Sequence, residues 1–190
     1  MSKTKTKKIK PKAKKTVVGN PLSVGHKRLL KLADLLDKDA DKANGIKFDM
    51  DIFGEVLINE DGSAPEKAPL NCNSAGCALG LAAMSGAFAK EGLTYKVSNG
   101  WASWSNSLQS RAYPIEIKLK NVKKYVTARE MAIEFFDLSP AQVEGLFFPS
   151  NPKTGAKEER RVATRIRQVI AGNLDFELND VGEVVDIRQK

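Results

Sequence analysis

The sequence predicts a mostly helical α+β domain, with about five helices packed on a small antiparallel sheet behind a disordered, basic N-terminal segment. Three observations carry this. Apolar residues recur at helical spacing in several stretches between residues 23 and 171. Ile115, Ile117 and Leu119 alternate with Glu116, Lys118 and Lys120, the period of a strand with one buried and one wet face. The net charge of +8 is confined: residues 1–15 hold eight lysines and no acid, whereas residues 16–190 hold 23 basic and 23 acidic residues.

Lys3, Lys5, Lys7, Lys8, Lys10, Lys12, Lys14 and Lys15 repel one another and have almost nothing to bury. Residues 1–21 therefore read as a disordered tail and linker, and residues 22–190 as a single globular domain. No apolar run follows the lysines, so the segment is not a secretory signal. The weakly polar run from Cys77 to Ala89 is too short to cross a bilayer, and no transmembrane segment is expected. With 42% apolar and 28% charged residues the composition is that of a globular chain. A body of about 170 residues buries roughly 70% of its unfolded surface, so it needs neither metal nor disulfide to stand.

The elements follow in order. Ser23 to Ala43 is an amphipathic helix through Leu29, Leu32, Leu36 and Ala40, with Asn44-Gly45 as a left-handed stop. Phe48, Met50 and Ile52 alternate with Asp49 and Asp51, as in a short half-buried strand or an extended segment. Asn59 to Asn71 is a loop. A second helix is expected from about Ala75 to Lys90, with Cys77, Leu81, Met84 and Phe88 forming one stripe. Gly76 and Gly80 narrow another part of it; each costs about 1 kcal/mol relative to alanine, so close approach of a neighbour is the reason to keep them. The stretch 95–113 matches no single pattern. Thr127 and Glu130 form a capping box for a third helix ending at Phe136. Ser139-Pro140 opens a fourth, with proline in its permitted first turn. Ala156 to Ala171 is a fifth, stopped by Gly172.

Three segments together resemble a family of small uncharacterised proteins of bacteria and phages. They are LLKLADLLD, then CNSAGCALGLA, then EFFDLSPAQVEGLFFP with VATRIRQVI after it. The shared features are a C-x4-C-A-x-G segment and an FF-x-L-S-x-x-Q-x-x-x-LF helical hairpin. The resemblance covers most of residues 29–170. It implies a shared fold and a cytoplasmic setting in a bacterial or phage-infected cell, and no known activity.

The lysine tail binds phosphates as mobile point charges and offers no fork or ordered element to read bases. Eight lysines on duplex DNA would give log affinity a slope of about −7 against log salt. Two basic stretches of the body join it as candidates, with Lys118 and Lys120 on the wet strand face and Arg161 and Arg165 on one face of the fifth helix. The basic stretches are 111–129 and 153–167, and the compensating acids cluster in residues 34–66; that asymmetry would suit either a self-complementary homo-oligomer or two separately solvated faces. Residues 132–146 have the apolar offsets of a helix-turn-helix. The second helix offers Gln142 and Glu144 with no Arg or Lys, which favours an ordinary helical hairpin. Trp101 and Trp104 would stack on single-stranded bases if exposed, but i, i+3 spacing suggests a buried pair.

Cys72, placed just before a helix N-terminus, is the candidate for a reactive thiol; the sole histidine, His26, precedes it, opposite to the papain-like order. Core packing explains Cys72 and Cys77 more simply. No catalytic set, metal site or cofactor is expected. The leading reading is a non-enzymatic, nucleic-acid-associated accessory protein that binds DNA or RNA without sequence preference. The alternatives are a protein-interaction module, phage or host directed, and a thiol-dependent enzyme centred on Cys72.

Overall fold

The computed structural model describes residues 21–71, 73–98, 100–120, 127–148, 153–180 and 183–187. The eight N-terminal lysines and Cys72 lie outside them. Among the described residues, no helix is long and apolar enough to cross a membrane.

Helix α1 (Val24–Ala40) starts where the Ser23 hydroxyl accepts the His26 N–H at 3.1 Å. Leu29, Leu32, Ala33, Leu36 and Ala40 are all buried along one stripe. The helix stops three residues before the expected Ala43, and the cause is Asp39. Its buried carboxylate accepts the Ile46 N–H at 2.9 Å and pairs with Lys42 at 2.8 Å, which turns the chain back over residues 41–46. Gly45 is not left-handed. A Cβ there would lie 2.6 Å from the Asp39 carbonyl oxygen, so the turn uses the absence of a side chain rather than the freedom of φ.

Six strands make one sheet: β1 (Lys47–Phe48), β2 (Glu55–Leu57), β3 (Ser74–Gly76), β4 (Leu93–Val97), β5 (Ser103–Ser105) and β6 (Ser110–Leu119). The order is β1-β3-β2-β6-β4, with β5 also on β6. The pairs are antiparallel except β1 with β3. The strand expected to run to Ile52 is shorter; past Phe48 there is only an isolated bridge from Asp49 to Thr154. Along β6 the expected alternation holds. Ile115 is buried, Ile117 and Leu119 pack on the core, and Glu116, Lys118 and Lys120 are exposed.

Helix α2 (Ala78–Met84) is much shorter than the Ala75–Lys90 expected. The sheet takes residues 74–76 as β3, and Gly86, at a φ of 66°, breaks the chain after the helix. The stripe of Cys77, Leu81, Met84 and Phe88 is buried all the same. Gly80 has the close neighbour its cost implies: a Cβ there would overlap the Phe53 carbonyl oxygen.

Helices α3 (Ala128–Phe136) and α4 (Pro140–Phe147) both open with capping boxes, and Asp137 in the left-handed region joins them. Helix α5 (Ala156–Ile170) ends at Gly172, whose φ is 71°. The acidic C-terminal stretch forms a hairpin of β7 (Asp175–Leu178) and β8 (Val184–Ile187), unforeseen in the sequence, which packs on α4. The core lies between the helices and one sheet face. Its densest part is a ring cluster, with Phe135 and Phe136 edge to face at 5.0 Å and Phe136 stacked on Phe147 at 5.7 Å.

Replacing Gly80 by alanine is expected to destabilise the protein by about 2 kcal/mol or more, because the backbone at Phe53 must move. Gly100→Ala, which meets only the Ser98 hydroxyl at 3.4 Å, should stay within about 0.5 kcal/mol. Urea unfolding midpoints check both.

Candidate nucleic-acid interface

Strands β4 and β5 follow the same edge of β6, with Val97 opposite Ile115 and Ser103 opposite Ala112. The described residues between them, Ser98 and Gly100 to Ala102, belong to neither strand. Ser98 donates its N–H to the Pro114 carbonyl at 2.9 Å. The N–H that Pro114 lacks would face this same edge, so the ladder cannot continue there, and the chain bulges outward. Trp101 rides on the bulge and Trp104 sits in β5 opposite Arg111. The core face of the sheet ends one rung earlier, at Tyr113 and Val56.

Both rings are therefore in water, Trp101 at 92% of its full exposure and Trp104 at 64%. This corrects the expectation of a buried pair. The i, i+3 spacing would share one side only on a helix, and the segment is a bulge and an edge strand.

The hairpin that carries the rings is anchored at its tip. Leu108 is buried against Ala75 and Ala112 and donates its N–H to the Ser105 hydroxyl at 3.1 Å. The Ser107 hydroxyl donates to the Asp49 carboxylate. Arg111 is exposed, and its guanidinium reaches the Ala102 carbonyl, between the two rings in sequence, at 3.4 Å. No Asp or Glu occurs from Gly92 through Ile115. Acids are tied to this end at two places: Asp49, which accepts from Ser107, and the turn at residues 59–63, held by Tyr113 at the Gly62 carbonyl. In that turn the Ser63 hydroxyl and N–H hold the Asp61 carboxyl below its ordinary range.

Lys118 and Lys120 are exposed near the far end of β6, with no ion pair among the described residues. By strand alternation they point to the face opposite Arg111 and Trp104. Arg161 makes a two-pronged pair with Glu158, at 2.7 and 2.8 Å. Arg165 pairs with Asp186 at 2.7 Å and lies over the Phe176 ring. Helix α5 packs on α1, α4 and β1, whereas β6 packs on β2, β4, β5 and α2, so the two basic stretches have different neighbours. The complementary acids and bases meet inside the one chain: Arg160 pairs with Asp41, and Arg167 with Asp34 and Asp37.

The α3–α4 pair is a packed hairpin with its polar residues engaged. Gln142 donates to Asp175 at 3.0 Å, Glu144 pairs with Arg129, and the β7–β8 hairpin covers α4. Cys77 is buried at the start of α2, its thiol pushed up to about 11 by burial, with the Phe53 carbonyl 4.0 Å away. Among the described residues, no group of three or more His, Cys, Asp or Glu side chains could hold a metal ion. A half-open cleft of about 530 Å³ lies between Lys47, Asp49, the hairpin tip at Asn106 and Ser107, and the start of α5 at Thr154.

Glu159 is the least expected group. It sits in the seam between α1 and α5 at 1% exposure, with one carboxylate oxygen lacking a partner. Burial pushes its pKa up to about 8, from an ordinary 4.5. Asp39 and Asp37 add to this, and Lys42 and Arg160 oppose it. The folded state thus keeps a proton that the unfolded chain has lost, so stability falls as pH rises from about 4.5 to about 8 and levels off above. Glu159→Gln is expected to remove from this window a slope of up to about 1.4 kcal/mol per pH unit, read from melting temperatures at several pH values. Cys77 is expected to resist alkylation at pH 8 until the protein unfolds, as followed by mass spectrometry of its peptide.

Comparison of the chain with protein-family models, curated protein sequences and solved structures finds no match in any of the three.

Proposed function

We propose that this is a non-enzymatic, nucleic-acid-associated accessory protein. Its eight N-terminal lysines supply sequence-independent phosphate affinity, and its folded body supplies shape and partner contacts. The observation that carries this reading is where the charge is free. All four arginines of α5 are tied to acids of the same chain, and the body as a whole has equal numbers of acids and bases. The uncompensated charge is the set Lys3, Lys5, Lys7, Lys8, Lys10, Lys12, Lys14 and Lys15, next to a neutral body. Such a block attracts polyanions by counterion release and needs no ordered site.

A protein-interaction module is the second reading. It is favoured by the same exposed rings, because tryptophan is the residue type that anchors protein interfaces. In either reading the arginines of α5 act mainly as internal ties, and Lys118 and Lys120 remain the body's candidate phosphate contacts.

Electrophoretic shifts over a range of salt test the proposal. The full chain should bind duplex DNA with log affinity falling against log salt at a slope of about −7. Replacing the eight lysines by glutamine should abolish most of the binding and flatten the slope. A full chain that binds neither DNA nor RNA at 20 mM salt, at micromolar protein, would sink the idea.

A further inference from the structure

We infer that Trp101, Trp104 and Arg111, at the β5 end of β6, form a single-stranded nucleic-acid site, in which the two indoles stack on unpaired bases and the guanidinium takes a phosphate. This deepens the proposed nucleic-acid association and rests on it. The two rings are the most exposed large apolar side chains among the described residues. The hairpin that carries Trp104 is fixed at its tip by Leu108 and Ser107, and Arg111 reaches the Ala102 carbonyl beside the rings, which lowers the ordering cost of binding there.

The chemistry around the rings selects the occupant. A protein hot spot sits within a rim of near-neutral contacts that exclude water. Here the described sequence neighbours Ser98, Gly100, Ala102 and Ser103 are small, and the rings stay largely in water. The other exposed large apolar residues, among them Phe53, Leu178 and Val185, belong to other elements. Strand β5 has only three residues, too short an edge to take an added peptide strand. The charge fits a polyanion: the stretch from Gly92 through Ile115 carries no acid of its own, Asp49 at the hairpin tip is engaged by the Ser107 hydroxyl, and Arg111 is exposed with no acid partner among the described residues. Flat, sequence-tolerant stacking next to a cation is how single strands are held without base reading. Away from its two ends a duplex, with its bases already stacked on one another, presents no ring face to these indoles.

Trp101 and Trp104 are the only tryptophans in the chain, so intrinsic fluorescence reads this site alone. The experiment titrates the full chain with a dT12 oligonucleotide, a 12-base-pair blunt duplex and inorganic polyphosphate, following tryptophan emission and, in parallel, anisotropy of labelled ligand. The expected result is saturable quenching by dT12 with little quenching by duplex or polyphosphate. Trp101→Ala and Trp104→Ala should each weaken dT12 binding about tenfold while leaving duplex binding unchanged. Both side chains are exposed, so their removal should leave the melting temperature unchanged, which verifies folding. Binding of dT12 without quenching, or with affinity indifferent to both substitutions, overturns the site and leaves the lysine-driven association standing. No binding of any of the three polyanions at low salt overturns both.

Discussion

Helix α1 is enclosed by other elements, and the remaining structure is arranged around that fact. Leu29, Leu32 and Leu36 have no exposure at all, and the helix packs on α2, α3 and α5 at once. A helix with one wide apolar stripe cannot be stable alone, so these partners are required rather than optional. Its other side is polar, and the neighbouring segments meet it with charge. Arg28 lies over the Phe135 ring while bonding Glu91, and Lys31 lies over Phe88 while donating to the Ala87 carbonyl. The aromatic cluster and the first helix are thus closed by the same two cations.

The seam between α1 and α5 shows how the charges are spent. Exposed ion pairs such as Arg160 with Asp41 are worth a few tenths of a kcal/mol each, so they align the two helices more than they hold them together. The packing of Val162, Ala163 and Ile166 against the core holds them. Two carboxyl groups, Asp39 and Glu159, are trapped in the same seam with different outcomes. Asp39 has a backbone N–H and a lysine as partners, whereas Glu159 has one oxygen without a partner and a pKa pushed up by its burial. The arginines committed there are withdrawn from any external polyanion, which leaves the N-terminal lysines as the uncompensated charge.

Five helices, the 115–119 half of β6, the Thr127–Glu130 capping box and the Ser139-Pro140 helix start were legible from residues 23–171 because their signals are local. Ser139-Pro140, Thr127 with Glu130, and the alternation at 115–120 each act within a few residues of themselves. Helix ends that depend on distant partners were not legible. Ala75 and Gly76 read as the start of a helix because they continue the small and apolar run that follows them, yet β2 supplies a ladder partner and β1 another, so they form a strand with Ser74. The β7–β8 hairpin was missed because its acidic residues face solvent and only Phe176 is deeply buried, against Gly145 of α4.

The sequence by itself determined the segregation of charge, with all of the excess in residues 1–15, because counting charges needs no coordinates. It also determined which residues form the core stripes, because periodicity is a property of the chain. Only the tertiary structure decided where Arg161, Arg165 and the tryptophans point. The acids that claim the arginines of α5 include residues more than a hundred positions away in α1, and proximity of that kind is invisible to pattern. The exposure of Trp101 and Trp104 follows from Pro114 facing the gap between β4 and β5, and from a core that ends at Tyr113. Both facts arise from strand pairing, so spacing along the chain could not supply them.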